Sequence, residues 1–192
     1  MIGQPAKVLA PRDVRMMLRA AAAGRYPQRN KVMVLLSVKA GLRACEISRL
    51  TWSMVLDAHG KVNDVMELPA AAAKMGSGRR VPLHPELKSA LVLLVKGHDI
   101  RVGPVILSER RRAMSAKSVV NWFAALFEEL GLQGCSSHSG RRTFVTQAAR
   151  LIHHAGGSLR DVQELVGHKS IKTTQGYIEG SSDAQRRLIR AL

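Results

Sequence analysis

Val119, Trp122, Phe123, Leu126, Phe127 and Leu130 fall at i, i+3, i+4 and i+7 spacing within residues 115–130, a period that suits an α-helix with one buried face. Gly131 closes that run. The same reading places helices elsewhere along the chain. Pro11 suits a first helical position and Gly24 a stop, giving a helix over 11–23. A buried-looking helix follows over 28–40, Gly41 breaks it, and a short helix resumes over 43–50 with Ile47 and Leu50 facing inward. Pro85 and Glu86 open another, with Leu87, Leu91, Leu94 and Val95 on one face. Two more span 139–154 and 159–166, parted by Gly156-Gly157.

Between Trp52 and Leu83 the register changes. Residues 65–68 and 79–83 have the length and composition of short strands, and Gly76-Ser77-Gly78 is a turn of the kind that joins a hairpin. The alanine run 70–73 fits either state. No internal repeat is present. The expected fold is mainly α with a small antiparallel β-sheet (α+β), in one domain over residues 1–192, whose 46% hydrophobic content can fill a core.

A formal net charge of +16 and a pI near 11.0 speak of partners rather than of fold. Such a surface attracts polyanions, nucleic acid first and an anionic membrane second. No stretch approaches the roughly 18 to 20 apolar residues that span a bilayer, and the N-terminus lacks the charged, apolar, small-residue order of a secretion signal. The expectation is a cytoplasmic protein, nucleoid-associated if prokaryotic, without a membrane partner. Cys45 and Cys135 offer no disulfide framework, in keeping with a reducing compartment. Aromatic residues are few, and most sit at core-like spacing. Single-strand binders need several exposed rings as stacking platforms, so double-stranded DNA is the better partner.

Cleaving a phosphodiester without a metal needs a nucleophile, a base, an acid for the leaving oxygen, and fixed positive charge around the phosphorane. The chain has residues for each task. Tyr177 closes the run that begins Gly167-His168. A phenol of pKa near 10 is ionised in only about one molecule in a thousand at neutral pH, so it needs a base or a positive field. His138 is the natural base, and Arg141, three residues on, shares its face if both are helical. Arg43 supplies a second guanidinium fork, which pairs two phosphate oxygens at once as lysine cannot. Glu46 is read as orienting Arg43, the plainer alternative being an intrahelical ion pair worth about 0.3 to 0.5 kcal/mol.

The order Arg43, Lys74, His138-x-x-Arg141, Gly167-His168, Tyr177 resembles the catalytic domain of the tyrosine recombinase (phage integrase) family, from about Val8 to the end. The resemblance implies a 3′-phosphotyrosine and a free 5′-hydroxyl as intermediate. By position, Arg43 and Arg141 bind the scissile phosphate and His138 acts as base. His168 hydrogen-bonds the phosphate, Lys74 protonates the leaving 5′-oxygen, and Tyr177 attacks. It implies no metal and no cofactor, since the bond energy is stored in the phosphotyrosine. It implies as partners further protomers assembled on DNA, a tetramer on two sites, with accessory DNA-bending or directionality factors. The family's N-terminal domain, which completes a clamp around DNA, is expected to be absent. Gly140 stands where leucine is frequent in the family, and Ala73 where threonine usually precedes the lysine. In the family a tail like 178–192, with Leu188, Ile189 and Leu192 as an apolar stripe, docks on a neighbouring protomer.

Two other functions stay open at this level: type IB topoisomerase-like relaxation by the same chemistry, and a non-catalytic duplex-DNA-binding module. Elsewhere the plain readings prevail. Lys74 also fits a solvated turn lysine. His153-His154, and Cys135 with His138, lack the four ligands of a structural zinc site. Arg110-Arg111-Arg112 fits a solvated run and a phosphate contact equally.

Overall fold

The computed structural model describes residues 6–73, 76–97, 102–177 and 189–190. Along the chain run α1 (Pro11–Ala23), α2 (Pro27–Lys39), α3 (Ala44–Arg49), a 3-10 turn (Trp52–Met54), β1 (Val65–Leu68) and β2 (Arg79–Pro82). Then follow α4 (Pro85–Lys96), α5 (Ala116–Glu129), α6 (Ser139–Leu151), α7 (Leu159–Val166) and α8 (Ile171–Gln175). The mainly helical fold with one small antiparallel sheet is as the sequence led us to expect.

α2 is the centre of the molecule. Val32, Met33, Val34, Leu35 and Leu36 are all fully buried, because α1, α3, α4 and α6 pack around them. A helix that is apolar on every side has no face to give to water. α5 turns Val119, Phe123, Leu126 and Phe127 inward and covers α3. A second, smaller cluster of Val145, Val162 and Val166 is packed by Phe144, Ala148, Ile152 and Tyr177. The two bodies of apolar side chains meet where α6 lies on α2 and where α7 meets β2. The candidate site lies along that seam.

Local chemistry sets the element ends. Proline opens α1, α2 and α4. The Ser115 hydroxyl accepts from the Ser118 N–H at 3.1 Å at the start of α5, and Ser158 and Asp161 form a capping box on α7. α6 ends at Leu151, three residues before the expected 154, and unwinds through turns to Gly156 at φ +73°. α8 was not anticipated, since five residues are too few to show a helical period.

β1 and β2 pair antiparallel with Val65 opposite Pro82 and Leu68 opposite Arg79. They are joined by residues 69–78, a longer connection than a tight turn at Gly76-Ser77-Gly78 alone. The alanine run in it forms a turn, with the N–H groups of Ala72 and Ala73 both donating to Pro69 O, at 3.0 and 3.1 Å. Lys74 and Met75, and nearly all of the tail after Tyr177, lie outside the described residues. The departure at Gly140 has a packing cause. A Cβ there would lie 2.2 Å from Ser37 Oγ and 2.9 Å from Ser37 Cβ, so the glycine lets the first turn of α6 rest against α2.

Candidate active site

Arg141 projects from the first turn of α6 and is only 3% exposed. Its Nη1 donates to Gly41 O and its Nη2 to Val166 O at 2.9 Å, which fixes the plane of the guanidinium across the seam. Both acceptors are set by glycines. Gly41, at φ +64°, leaves α2 in the left-handed region, where a Cβ would also strike Phe144 Cδ1 at 2.5 Å. Gly167, at φ +66°, ends α7 in the same way. Burial, and then the nearby charge of Arg43, lower the Arg141 pKa to about 10, so it stays a cation at neutral pH.

Arg43 stands at the N-cap of α3, with its side chain mostly buried. Its own N–H donates to Glu46 Oε2 at 2.9 Å, and its Nη1 to Glu46 Oε1 at 3.2 Å. Glu46 is fully buried and also takes a bidentate pair from Arg79 on β2, Nη1 to Oε1 at 2.9 Å and Nη2 to Oε2 at 3.0 Å. Burial alone pushes this carboxyl up, but the hydrogen bonds and charges of Arg79 and Arg43 outweigh it and hold the pKa at about 2. The role read for Glu46, orienting Arg43, is the one its geometry supports.

His168 follows Gly167 directly. Its N–H donates to Gln163 O at 3.0 Å while the Gly167 N–H reaches Glu164 O at 3.1 Å, the paired bonds of a Schellman ending. Gln163 Nε2 donates in turn to His168 O at 2.9 Å. The buried ring pairs through Nδ1 with Thr174 Oγ1 at 3.0 Å. Desolvation, and then the charges of Arg141, Arg43 and Arg79, lower its pKa to about 4. At neutral pH it is therefore an uncharged imidazole among three cations. Tyr177 stacks on it, ring centroids 5.6 Å apart, and the Arg142 guanidinium carbon lies 5.6 Å from the tyrosine ring centroid. An open groove of about 540 Å³ runs beside His168 and Gly167, bordered by Ser77, Arg79 and Gln163.

The structure thus gathers Arg43, Arg141, His168 and Tyr177 at one place. His138 is exposed and is the N-cap of α6 rather than a residue within it, with αR backbone at φ −89°. It stands one turn before Arg141. Arg79, Arg142 and Thr174 were not foreseen. Strand parity carried the signal for Arg79: it shares its face with Val81, and both are buried. An arginine on a buried face calls for a carboxylate partner. Cys45 and Cys135 are free thiols. Among the described residues no three His, Cys, Asp or Glu side chains group as metal ligands, and no helix is long and apolar enough to cross a membrane.

The chain matches the phage integrase family over residues 7–183. It is 28% identical over 191 residues to a tyrosine recombinase XerC of Roseiflexus sp. (strain RS-1), covering 93% of this chain and 58% of that protein. A second tyrosine recombinase XerC, of Roseiflexus castenholzii, is 29% identical over 181 residues, covering 89% of this chain and 54% of the relative. The chain therefore spans about half the length of these relatives. Among solved structures, the Tn1549 transposon integrase in complex with a circular intermediate DNA superposes with a TM-score of 0.77 at 20% identity, covering all of this chain and 67% of that one. XerA recombinase gives 0.75 at 23% identity, covering 97% and 66%. A lambda integrase dimer bound to a COC′ core site gives 0.71 at 20% identity, covering 93% and 49%.

Proposed function

Because the chain belongs to the phage integrase family, we propose that it cleaves and rejoins duplex DNA as a site-specific recombinase or integrase, through a covalent bond between Tyr177 and a DNA 3′-phosphate. The observation that carries this reading is the stack of Tyr177 on His168, beside the guanidinium groups of Arg43 and Arg141. The attacking group and the cations that would hold a phosphate belong to one chain and one seam.

In the proposed step the Tyr177 oxygen attacks phosphorus, and the bond from phosphorus to the 5′-oxygen breaks. The phenol proton passes to His138, whose exposed position at the start of α6 leaves it accessible to substrate. The leaving 5′-oxygen takes its proton from Lys74. Arg43 and Arg141 brace the non-bridging oxygens as negative charge builds on them, the kind of preorganised stabilisation that acts in the transition state without reorganisation cost. Neutral His168 donates a hydrogen bond from Nε2 when Thr174 donates to Nδ1. Rejoining is the reverse, with a 5′-hydroxyl as nucleophile, so no external energy source is needed.

The net charge of +16 supports duplex DNA as the partner. Assembly of further protomers on DNA is supported by the likeness to a lambda integrase dimer bound to a core site; four protomers on two sites extend the same reading. Accessory bending or directionality factors, action in the cytoplasm at the nucleoid, and one catalytic domain over residues 1–192 belong to the same reading. Incubation with a duplex nicked near a candidate site, followed by denaturing electrophoresis, tests it: a protein–DNA adduct at Tyr177 supports the reading, and its absence on every cleavable duplex of the cognate site counts against it. Two-site recombination assays beside plasmid relaxation separate strand exchange from relaxation.

A further inference from the structure

Arg79 touches both sides of the seam. Its two terminal nitrogens hold the two oxygens of Glu46, and Glu46 holds both the N–H and the guanidinium of Arg43. Its stem lies against the turn that presents His168: a Cβ at Gly167 would sit 3.0 Å from Arg79 Cδ and 3.3 Å from Nη1. The side chain is 3% exposed, which leaves little of it for direct contact with a ligand in the groove. Its Nε makes no hydrogen bond among the described residues. The neighbouring Arg80 differs in every respect, being exposed and paired with exposed Glu67 at 3.3 Å.

We propose that Arg79 is a positioning residue that ties the two phosphate-facing arms together, setting Arg43 through Glu46 and His168 through Gly167. For its effect on cleavage the inference rests on the recombinase reading; for its effect on Arg43 it does not. Lysine cannot take its place, because a single ammonium cannot bridge both carboxylate oxygens in the plane that also leaves Glu46 aligned on Arg43. In this account Glu46 is the hinge of the tie rather than a simple counter-ion. The two arms are set from one point, on a strand far from both in sequence.

The test uses the full chain with Arg79→Lys, an Arg79→Gln variant, and Arg80→Lys as the control for charge near DNA. Arg79→Gln keeps the inference testable if Arg79→Lys does not fold, because Glu46 stays in place to hold Arg43 while the amide can donate to one carboxylate oxygen without bridging both. The first readout is the side-chain ¹⁵N relaxation of the Arg43 guanidinium in the free protein. It is ordered in the wild type and in Arg80→Lys, and becomes mobile in the Arg79 variants while the amide signals of α2 and α5 stay in place. The second is the cleavage rate on a phosphodiester against a methylphosphonate at the cleaved linkage, which has one non-bridging oxygen and one negative charge fewer for the arginines to brace. Arg79→Lys should slow the phosphodiester at least about tenfold, and the methylphosphonate by less than about threefold. An Arg43 side chain as rigid as in the wild type, or equal losses on both substrates, overturns the inference. If the wild type cleaves neither substrate, the tyrosine chemistry fails and the Arg43 relaxation alone decides.

Discussion

The Tyr177 ring lies nearly parallel to the His168 imidazole, with centroids 5.6 Å apart and planes inclined by 21°. Residues nine apart in sequence are brought together by α8, whose Thr174 also holds His168 Nδ1. The proposed nucleophile and the histidine proposed to bind phosphate are therefore positioned as one unit.

His168 should titrate in the folded protein with a midpoint near 4, as followed by imidazole NMR signals, since burial and three guanidinium groups disfavour its cation. The unfolded chain takes up the same proton nearer 6.5. The contribution to stability is thus complete above pH 6.5 and is lost as pH falls toward 4. Activity should show no inflection from this residue between pH 6 and 8. A midpoint near 6.5 would contradict the buried, cation-flanked setting.

Glu46→Gln should destabilise the protein by about 3 to 5 kcal/mol at pH 7, because it leaves the Arg79 guanidinium buried without its counter-charge. The folded pKa near 2 lies below the ordinary 4.5, so the carboxylate contributes fully above pH 4.5 and progressively less toward pH 2. Urea unfolding across that range should fall more steeply for the wild type than for Glu46→Gln. Parallel curves would mean that the charge of Glu46 contributes nothing to the fold.

Much of this molecule was legible in its sequence. Apolar spacing gave α5, Pro11 and Gly24 the ends of α1, Gly41 the break after α2 and Pro85 the start of α4, and motif order singled out Arg43, Arg141, His168 and Tyr177, which the fold brings close together. The misses have physical reasons. α8 is shorter than the period that would reveal it, and α6 frays into turns before the double glycine at 156–157. Strand parity with Val81 marks Arg79 as inward-facing, but its partner Glu46, 33 positions away, could be found only from the fold. Gly140 stood out in the sequence only as a departure from the family's frequent leucine, and its reason, the close approach of Ser37, lies in the packing of α6 on α2.

Gly140→Ala should lower stability by about 1 to 3 kcal/mol despite the better helix propensity of alanine, because the added methyl overlaps Ser37. Ser37→Ala in the same chain should recover part of the loss, since it removes the oxygen that the methyl meets first. Thermal unfolding of the two single variants and the double reads the coupling directly. Additive effects would show that the two residues do not press on each other.

Arg43→Lys and Arg141→Lys should each slow cleavage on the order of 10²- to 10³-fold, by analogy with the loss of one oxyanion donor. Net charge is unchanged, so duplex affinity should move little. Arg141→Lys should also lower thermal stability, because it gives up the planar bonds to Gly41 O and Val166 O. Single-turnover rates on a nicked duplex, measured beside affinity, separate the two effects. A loss below about tenfold in either would place that arginine outside the reacting centre.

Covalent trapping of wild type and Tyr177→Phe on a nicked duplex decides whether Tyr177 is the nucleophile. The substitution removes the hydroxyl and keeps the ring that stacks on His168 and packs against the Val145, Val162 and Val166 cluster. A denaturant-resistant 3′-linked adduct should form with the wild type and none with Tyr177→Phe, at unchanged duplex affinity and melting temperature. A phosphotyrosine adduct that persists in Tyr177→Phe would contradict that assignment.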